Sequence, residues 1–332
     1  MKRINHLYDQ SYRFEHLYAA AKFARRGASR FGDSLLRFCH ELERNLIVLA
    51  DELKIEAYRP GPFYHFRIRD PKPRVISAAP FRDRVVHHAL CALMQPRLEA
   101  YAIDDSYACR INKGQSAAMA RCKEFMSRFA YVAKIDVHHF FETADHQVLN
   151  GQLRRLFKDQ RLLGLAATLI EHGGTNGQGL PIGNLTSQHF ANLYLGGLDH
   201  YLKDELGLPG YVRYMDDCLL FDHCKARLRQ RVMAAEAYVE THLKLRLRPD
   251  AERFSATSHG IPFLGFRVFP GLIRFDRARR RRALRKMKML NRHGEARYGR
   301  DGTSKRMQSL CAWADMGQTK GLRRAWLKAQ FE

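Results

Sequence analysis

The stretch that decides the fold runs from Tyr211 to Phe221 and reads YVRYMDDCLLF. Apolar residues lie on both sides of a central Met-Asp-Asp triplet, which indicates two short strands joined by a tight turn. The turn carries two adjacent carboxylates, Asp216 and Asp217. An isolated Asp-Asp pair is more often a plain turn, because aspartate favours turns, so a functional interpretation needs further carboxylates elsewhere in the chain.

A third carboxylate ends another predicted buried strand. The apolar run from Tyr131 to Ile135 leads directly to Asp136. Three carboxylates on buried strands repel one another and resist desolvation, unless divalent metal lies between them. Two Mg²⁺ ions about 4 Å apart, with Mn²⁺ as an alternative, drive in-line phosphoryl transfer when carboxylates and phosphate oxygens hold them. The sequence therefore predicts a metal site at Asp136, Asp216 and Asp217.

The charge of the chain points to a polyanionic partner. Its 332 residues contain 57 Lys and Arg against 34 Asp and Glu, a formal net charge of +23. Phosphate backbones are the commonest match for such an excess, and a solvated basic surface or anionic lipid are the alternatives. Membrane binding is disfavoured because the sequence has no long apolar run. The N-terminus does not resemble a secretory signal, and seven cysteines without a CxxC pair favour reduced thiols in a cytoplasm.

The remaining pattern predicts an α+β protein. Helical periodicity covers residues 1–58, 82–101, 146–171 and 193–206, and extended structure is predicted for 63–69, 74–76 and 260–270. Residues 172–179 are glycine-rich and predict a loop. From Asp276 onward the sequence is helical and very basic, with eight Lys or Arg among residues 277–288. This run contains no acidic residue, which favours a nucleic-acid-binding helix over an ordinary solvated face.

Four motifs resemble those of reverse transcriptases, in the family's order. Tyr214–Asp217 matches the YMDD box, and Lys134–Phe141 (KIDVHHFF) is similar to the first catalytic motif. Gly179–Gln188 (GLPIGNLTSQ) resembles the segment that lines the nucleotide and template. Phe263–Phe266 (FLGF) resembles the primer grip. The resemblance covers roughly residues 40–320 and supplies the further carboxylates that the metal interpretation requires.

The resemblance implies a right-hand polymerase fold with fingers, a palm built on an antiparallel sheet, and a helical thumb. Residues 1–130 are expected to form an N-terminal extension and fingers. Residues 131–265 are expected to form the palm, with a fingers insertion near 150–180, and residues 266–332 the end of the primer grip and a basic thumb. The chain ends soon after the thumb, so no RNase H or endonuclease domain is expected.

The resemblance also assigns roles to individual residues. Catalysis and metal binding are assigned to Asp136, Asp216 and Asp217, with the backbone carbonyl of Val137 as a further metal ligand. Phe141 is the expected steric gate against the ribose 2′-hydroxyl, whereas Phe140 is expected to be core. The incoming dNTP is expected at Lys72, Arg74, Phe141, Ile182, Gly183 and Gln188, although Lys72 and Arg74 have solvated surface cations as their alternative. Nucleic acid is expected at Phe263, Leu264, Gly265, Arg277, Arg280, Arg281, Arg285 and Lys288.

Within this family, several segments resemble the reverse transcriptases of diversity-generating retroelements. They are residues 74–90, 106–110 and 313–315, together with an I-G-x-x-x-S-Q pattern where group II intron enzymes have Q-G-x-x-x-S-P. The resemblance implies error-prone cDNA synthesis with misincorporation opposite template adenines, to which Ile182 and Gln188 are hypothesised to contribute. It further implies a dedicated template RNA, an RNA/cDNA duplex, a small basic oligomeric accessory protein, and a bacterial or phage-encoded cytoplasmic enzyme.

Two other interpretations stay open at this point. A retron-type or antiphage reverse transcriptase would use the same two-metal chemistry for a different purpose. A catalytically idle RNA-binding scaffold would keep the fold without the reaction, but it has no reason to retain three buried like charges. A plain RNA polymerase is disfavoured by Phe141.

Overall fold

The structure, a computed structural model, describes residues 3–26, 32–69, 73–249, 254–275, 277–315 and 317, without the side chains of Arg277, Ala278 and Trp313. The chain forms two compact units, each made of three separate segments. Unit 1 comprises Met1–Asp104, Val137–Tyr201 and Ala235–Leu247. Unit 2 comprises Asp105–Asp136, Leu202–Ala234 and Arg248–Glu332.

The secondary structure alternates helices and strands, as an α+β chain does. The helices are α1 (Tyr8–Ser11), α2 (Phe14–Arg25), α3 (Gly32–His40), α4 (Leu42–Lys54), α5 (Phe81–Tyr101), α6 (Gln115–Arg128), α7 (Phe140–Thr143), α8 (His146–Leu156), α9 (Gln160–Gly173), α10 (Leu185–His200), α11 (Lys225–Leu243) and α12 (Arg277–Asp315). The strands are β1 (Tyr64–Ile68), β2 (Arg74–Ala78), β3 (Tyr131–Asp136), β4 (Gly210–Tyr214), β5 (Asp217–Asp222), β6 (Phe254–Ala256), β7 (Ile261–Phe263), β8 (Phe266–Phe269) and β9 (Leu272–Phe275).

Unit 1 is mainly helical and is organised around α5. This helix packs against α2, α3 and α10, and it buries Val85, Val86 and Leu90 completely. The strands β1 and β2 form an antiparallel hairpin in which Arg67 lies opposite Val75. Helix α8 packs against both α9 and α10. The unit therefore combines a helical core with one small hairpin.

Unit 2 contains the larger sheet, in the strand order β4-β5-β3-β6, and a second sheet in the order β7-β8-β9. All of their strand pairs are antiparallel. Helix α6 packs on both sheets, and its Phe125 shares one apolar core with Val132, Phe221 and Phe263. Burial of these large side chains stabilises the sheet that carries the acidic residues.

Helix α12 is amphipathic in its first half. Ala283, Met287 and Leu290 are buried at a spacing of three to four residues, which places them on one face. Gly299 has a positive φ of 69° and interrupts the helical geometry. A left-handed conformation of this kind suits glycine, which lacks a Cβ, so the helix kinks there.

Most of the predicted elements are confirmed, including the α+β class and the hairpin at Tyr211–Phe221. The prediction of one helix over 193–206 is wrong in its bounds, because α10 begins at Leu185 and a π-helical turn follows at Tyr201–Glu205. The helix predicted over 146–171 is two helices, because Asp159 accepts a hydrogen bond from the Leu162 N–H and caps α9. The two units do not follow the boundaries at residues 130 and 265, so the fingers, palm and thumb ranges stay predictions. Among the described residues, no helix is long and apolar enough to cross a membrane.

Candidate active site

The acidic residues lie at the ends of three neighbouring strands in unit 2. Asp136 ends β3 and pairs across the ladder with Asp217, which begins β5. Asp217 also pairs with Tyr214 at the end of β4, so Met215 and Asp216 form a two-residue turn. The antiparallel register therefore brings residues that are far apart in sequence to one end of the sheet, as the sequence predicts.

The turn has a conformation that few side chains favour. Met215 has a positive φ of 57°, a region that is sparsely populated by residues with a Cβ. Below the turn, Arg213 is fully buried, and its guanidinium donates a hydrogen bond of 3.2 Å to the Met215 carbonyl. Residues held in such conformations cluster at functional sites, where the surrounding structure stabilises them. Arg213 supplies part of that support and was not predicted as a site residue.

Two cations pair with the acidic residues, and neither was predicted to do so. The Lys134 ammonium donates to Asp217 Oδ2 at 3.1 Å and to the Pro262 carbonyl at 3.2 Å. The Arg248 guanidinium lies 2.9 Å from Asp136 Oδ2. The backbone N–H of Arg248 also donates to the backbone carbonyl of Asp136 at 2.8 Å. Lys134 is visible in the KxD motif, whereas no sequence signal singles out Arg248.

The electrostatics of Asp217 are strongly perturbed. Its pKa is raised to about 6, mainly by burial and less by the carboxylates of Asp136 and Asp216, whereas Lys134 opposes the shift. One oxygen of this carboxylate, Asp217 Oδ1, is buried without a hydrogen-bond partner in the described part of the chain. A cation bound at this carboxylate would supply the partner that the buried oxygen lacks.

These residues fit a divalent metal by their chemistry, because they provide carboxylate oxygens and one of those oxygens lacks a partner. The described side chains do not form a preassembled group of three or more ligands. Arg248 pairs with one oxygen of Asp136 and Lys134 with one oxygen of Asp217, and these are oxygens that a metal would use. Binding would exchange those ion pairs for metal–oxygen bonds.

A cavity of about 610 Å³ in unit 1 is lined by three of the six residues predicted to bind the dNTP, Arg74, Phe141 and Ile182. Arg74 and Arg67 line it from the β1–β2 hairpin, and Phe141 and Ile182 line it from other segments. Its size is typical of a small-molecule site. Arg67 was not predicted to bind the dNTP. It lies on the other strand of the hairpin, opposite Val75, the neighbour of Arg74.

The segment that contains Ile182 is fixed to strand β2. The Ser77 N–H donates to the Ile182 carbonyl at 2.8 Å, and the Asn184 amide donates to the Ser77 carbonyl at 3.1 Å. Gly183 has a positive φ of 117°, and a Cβ there would lie 2.6 Å from Ile76 Cγ2. Only glycine fits this position, so close packing accounts for the glycine in this reverse-transcriptase-like motif.

The other nucleotide-site predictions have mixed outcomes. Phe140 is 2% exposed, which confirms it as core. Gln188 lies in the first turn of α10 and is not among the residues lining the cavity, so the structure does not bring it together with Ile182 there. Lys72 lies outside the described residues. Val137 follows Asp136 directly and has a buried side chain, and the role of its carbonyl stays a prediction.

The predicted primer grip is the turn between β7 and β8. Leu264 and Gly265 both have positive φ angles, 47° and 89°, as in a type I′ hairpin turn. Gln115 donates to the Leu264 carbonyl at 3.0 Å, and Arg279 donates to it at 3.3 Å. Phe263 is 1% exposed, so its side chain is not on the surface, and contact of this residue with nucleic acid stays a prediction. This phenylalanine instead belongs to the apolar core that supports the turn.

The basic face of α12 is exposed. Arg281, Arg285 and Lys288 are exposed on the face opposite the buried Ala283, Met287 and Leu290, and Arg280 is exposed beside the buried face. The side chain of Arg277 lies outside the description. A row of exposed cations on one helix face provides phosphate contacts without base reading.

The sheet with its acidic edge belongs to a right-hand nucleic-acid polymerase. A telomerase from Candida albicans, solved with a fragment of telomeric RNA, shares the fold with a TM-score of 0.50 over 83% of this chain and 58% of its own, at 11% identity. The profile for reverse transcriptase (RNA-dependent DNA polymerase) matches residues 69–268. The chain belongs to the reverse transcriptase family and is an RNA-directed DNA polymerase.

Two relatives give the same family with different coverage. Protein YkfC of Escherichia coli is 25% identical over 281 residues, which cover 70% of this chain and 74% of YkfC. The group II intron-encoded protein LtrA of Lactococcus lactis is 23% identical over 193 residues, 54% of this chain and 32% of LtrA. The match therefore covers about a third of the intron protein.

Proposed function

We propose that the chain makes error-prone, adenine-mutagenic cDNA from a dedicated template RNA, as the reverse transcriptase of a diversity-generating retroelement. The observation that carries the proposal is Ile182. The I-G-x-x-x-S-Q pattern places an isoleucine where group II intron enzymes have glutamine, and this residue lines the cavity that also contains Arg74 and Phe141.

Three carboxylates act in this proposal as ligands for two Mg²⁺ ions. Asp136, Asp216 and Asp217 would hold them, and the orphaned oxygen of Asp217 supports that assignment. Bound there, such ions lower the pKa of a primer 3′-hydroxyl and stabilise the pyrophosphate that leaves. Lys134 and Arg248 keep the two opposed carboxylates neutralised until then.

The cavity residues orient the incoming dNTP. Arg74 and Arg67 offer guanidinium groups that suit the triphosphate through paired hydrogen bonds. Phe141 excludes a ribose hydroxyl by occupying the space beside C2′. Ile182 offers apolar contact and no hydrogen bond, so the base pair is checked by fewer directional contacts. Loss of those contacts is the physical basis proposed for low fidelity.

The partners in this proposal are a template RNA, its RNA/cDNA duplex and a small basic oligomeric accessory protein. The exposed cations of α12 support contact with the duplex, because they can neutralise phosphates. All seven cysteines are free thiols, which supports action in a reducing cytoplasm.

Primer extension on an RNA template with all four bases tests the fidelity claim. Wild-type enzyme is expected to misincorporate mainly opposite adenine, and Ile182→Gln is expected to reduce those errors. Ile182→Leu is the matched control, because it keeps an apolar side chain and should keep the error spectrum. Adding Gln188→Pro to Ile182→Gln should change little further, because Gln188 does not line the cavity. An identical error spectrum in Ile182→Gln would refute the assignment.

The second candidate is a retron-type or antiphage reverse transcriptase, which the same three carboxylates support. Uniform errors at all template bases would favour it. A pair of template and variable repeats beside the gene, with an accessory gene, would favour the first candidate. Absence of metal-dependent dNTP incorporation on any RNA template would leave only the idle scaffold.

A further inference from the structure

A second cavity, of about 370 Å³, lies in unit 1 and shares no lining residue with the cavity of Arg74 and Phe141. Its walls come from α8, α10 and the end of α11, with Tyr101 at the end of α5. The volume is at the lower end of the range for small-molecule sites. None of the polymerase motifs contributes to it, so the proposed function does not account for it.

Two helical glycines keep this cavity open. At Gly151 in α8, a Cβ would meet no atom within 4 Å. At Gly197 in α10, a Cβ would lie 2.9 Å from the Tyr238 hydroxyl, so the glycine allows that ring to approach the helix. Glycine inside a helix is less favourable than alanine, and these two positions therefore retain it at a cost to helix stability.

The charge around the cavity suits an anion. Arg155 and Lys244 line it, and none of its described lining residues is acidic. Lys244 is held by Asp145, 2.9 Å away. Arg155 is exposed and has no ion pair or hydrogen bond with any described residue, so its guanidinium is available to a phosphate.

Stacked rings on one side of the cavity suit a planar group. Tyr201, Tyr238 and His242 form a parallel stack, with ring centroids 4.5 Å apart in both pairs. His242 ends this stack and is exposed, and no other described ring packs on it. A nucleobase has a flat π-face that continues such a stack.

A hydrogen-bond acceptor completes the lining. The Gln152 amide nitrogen donates to the Tyr194 carbonyl at 3.0 Å, which fixes the orientation of the amide because a carbonyl only accepts. The other atom, Gln152 Oε1, is buried without a partner among the described residues. An exocyclic amino group on a base is the kind of donor that this oxygen lacks.

We propose that this cavity binds one nucleotide whose base carries an exocyclic amino group, with adenine as the test case, the base beside His242 and Gln152 and the phosphate on Arg155. The nucleotide is either free or part of a single RNA strand, because both carry the same base and phosphate. The site shares no residue with the candidate active site and needs no bound metal. It gives the enzyme a second point at which nucleotide or RNA is held.

Photocrosslinking tests this site directly. The probes are 8-azidoadenosine monophosphate and a short oligoriboadenylate that carries one 8-azidoadenine, both used in EDTA without dNTPs. Crosslinked peptides are expected from residues 147–156 or 238–244. Gly151→Leu fills the cavity and is expected to reduce crosslinking about tenfold, the loss expected for one stacking contact. Gly164→Leu in α9 is the matched control, since a Cβ there also meets nothing within 4 Å and the residue does not line the cavity.

A second variant separates phosphate from base. Arg155→Gln should weaken binding of AMP severalfold and leave binding of adenosine unchanged, as measured by titration calorimetry in EDTA. If the mononucleotide probe crosslinks and excess AMP prevents this, the ligand is a free nucleotide. If only the oligomer crosslinks, the ligand is an RNA strand. Crosslinks that map elsewhere, or that are equal in Gly151→Leu and Gly164→Leu, overturn the proposal. Because the assay needs no polymerisation, its outcome is independent of the proposed function.

Discussion

Asp136 and Asp217 lie directly opposite each other on β3 and β5, and each has its own cation, Arg248 at 2.9 Å and Lys134 at 3.1 Å. Like charges at directly opposed positions destabilise an antiparallel pair, and burial of one of them adds a desolvation cost. The two cations reduce this cost without removing it, because the pKa of Asp217 still rises to about 6. Repulsion and desolvation of Asp136 and Asp217 at this acidic edge of the sheet therefore lower the stability of the protein, and a bound divalent cation would relieve that cost.

Asp217→Asn should stabilise the metal-free protein and abolish activity. The pKa of Asp217 is raised from 3.8 to about 6 in the folded state. Its protonated carboxyl group therefore contributes stability below pH 3.8, and that stability is lost as the pH rises through 6. At pH 8 its removal should raise the free energy of unfolding by about 2 kcal/mol. Urea unfolding in EDTA measures this, and single-nucleotide incorporation with Mg²⁺ should fall by about a thousandfold or more.

Asp222→Asn, on the same strand, is the control, because it is expected to lower the free energy of unfolding where Asp217→Asn raises it. Burial opposes ionisation of Asp222, but the Cys224 N–H and the guanidinium groups of Arg231 and Arg227 lower its pKa below the usual value. Its carboxylate therefore stabilises the fold above its unfolded pKa, and the asparagine variant should be less stable at pH 8. Equal stability changes in the two variants would contradict the electrostatic account of the acidic edge.

Lys134→Met should destabilise the metal-free protein at pH 8, because it leaves Asp217 buried without its cation. We expect a loss on the order of 2 kcal/mol in the free energy of unfolding. The double variant Lys134→Met, Asp217→Asn should recover most of it, because no charge then stays unpaired. A double-mutant cycle by urea unfolding in EDTA measures the coupling. Strictly additive effects would show that the 3.1 Å ion pair between Lys134 and Asp217 does not contribute to stability.

The sequence predicts the hairpin because its apolar pattern and turn are local. The KxD and YMDD motifs also place Asp136, Asp216 and Asp217 in one site by resemblance, whereas the pairing of Lys134 with Asp217 is not predicted by them. Arg248 escapes such prediction, because more than a hundred residues of chain separate it from Asp136, and only the folded backbone brings the two side chains together. The start of α10 at Leu185 escapes as well, because Gly183 and Asn184 look like loop residues until Gly183 docks against Ile76.

The second cavity could not be predicted from the sequence either. Its lining residues lie on three helices and at the end of a fourth, at positions that look like ordinary helix surface. Gly151 and Gly197 are the only hint, since glycine is unfavourable inside helices. Their effect depends on which rings and side chains approach them, and tertiary packing alone decides that.

Phe141→Val should allow the enzyme to incorporate ribonucleotides. The phenylalanine lines the 610 Å³ cavity, and its smaller replacement leaves room beside C2′ for a hydroxyl. We expect selectivity for dNTP over rNTP to fall about 10- to 100-fold, measured as the ratio of kcat/KM values. Phe140→Leu is the control, because Phe140 is buried core at 2% exposure. That variant should lower Tm and keep the selectivity, and a loss of selectivity there instead would move the gate to Phe140.

Two histidines on α5, the buried His87 and the half-buried His88, should make the protein sensitive to acid. Burial lowers the pKa of His87 to about 3, with smaller contributions from His88 and Arg84, and burial also lowers that of His88 to about 4. Both side chains are therefore neutral when folded, and stability present above pH 6.5 is lost as the pH falls below it. Between pH 6.5 and 5, His87 alone should cost about 2 kcal/mol of unfolding free energy. His87→Gln should flatten this pH dependence, whereas His259→Gln, an exposed substitution, should leave it unchanged.

The exposed cations of α12 should set the salt dependence of duplex binding. Arg281 and Arg285 lie one helical turn apart on the exposed face, away from the buried Met287. Each phosphate contact that is lost should reduce the slope of log K against log salt by about one, so Arg281→Gln with Arg285→Gln should reduce it by about two. Arg300→Gln is the control, because Arg300 lies beyond the kink at Gly299 and pairs with Glu295 at 4.0 Å. Fluorescence anisotropy with an RNA/DNA duplex at several salt concentrations gives the slopes, and equal slopes in all three proteins would mean that this face does not contact phosphate.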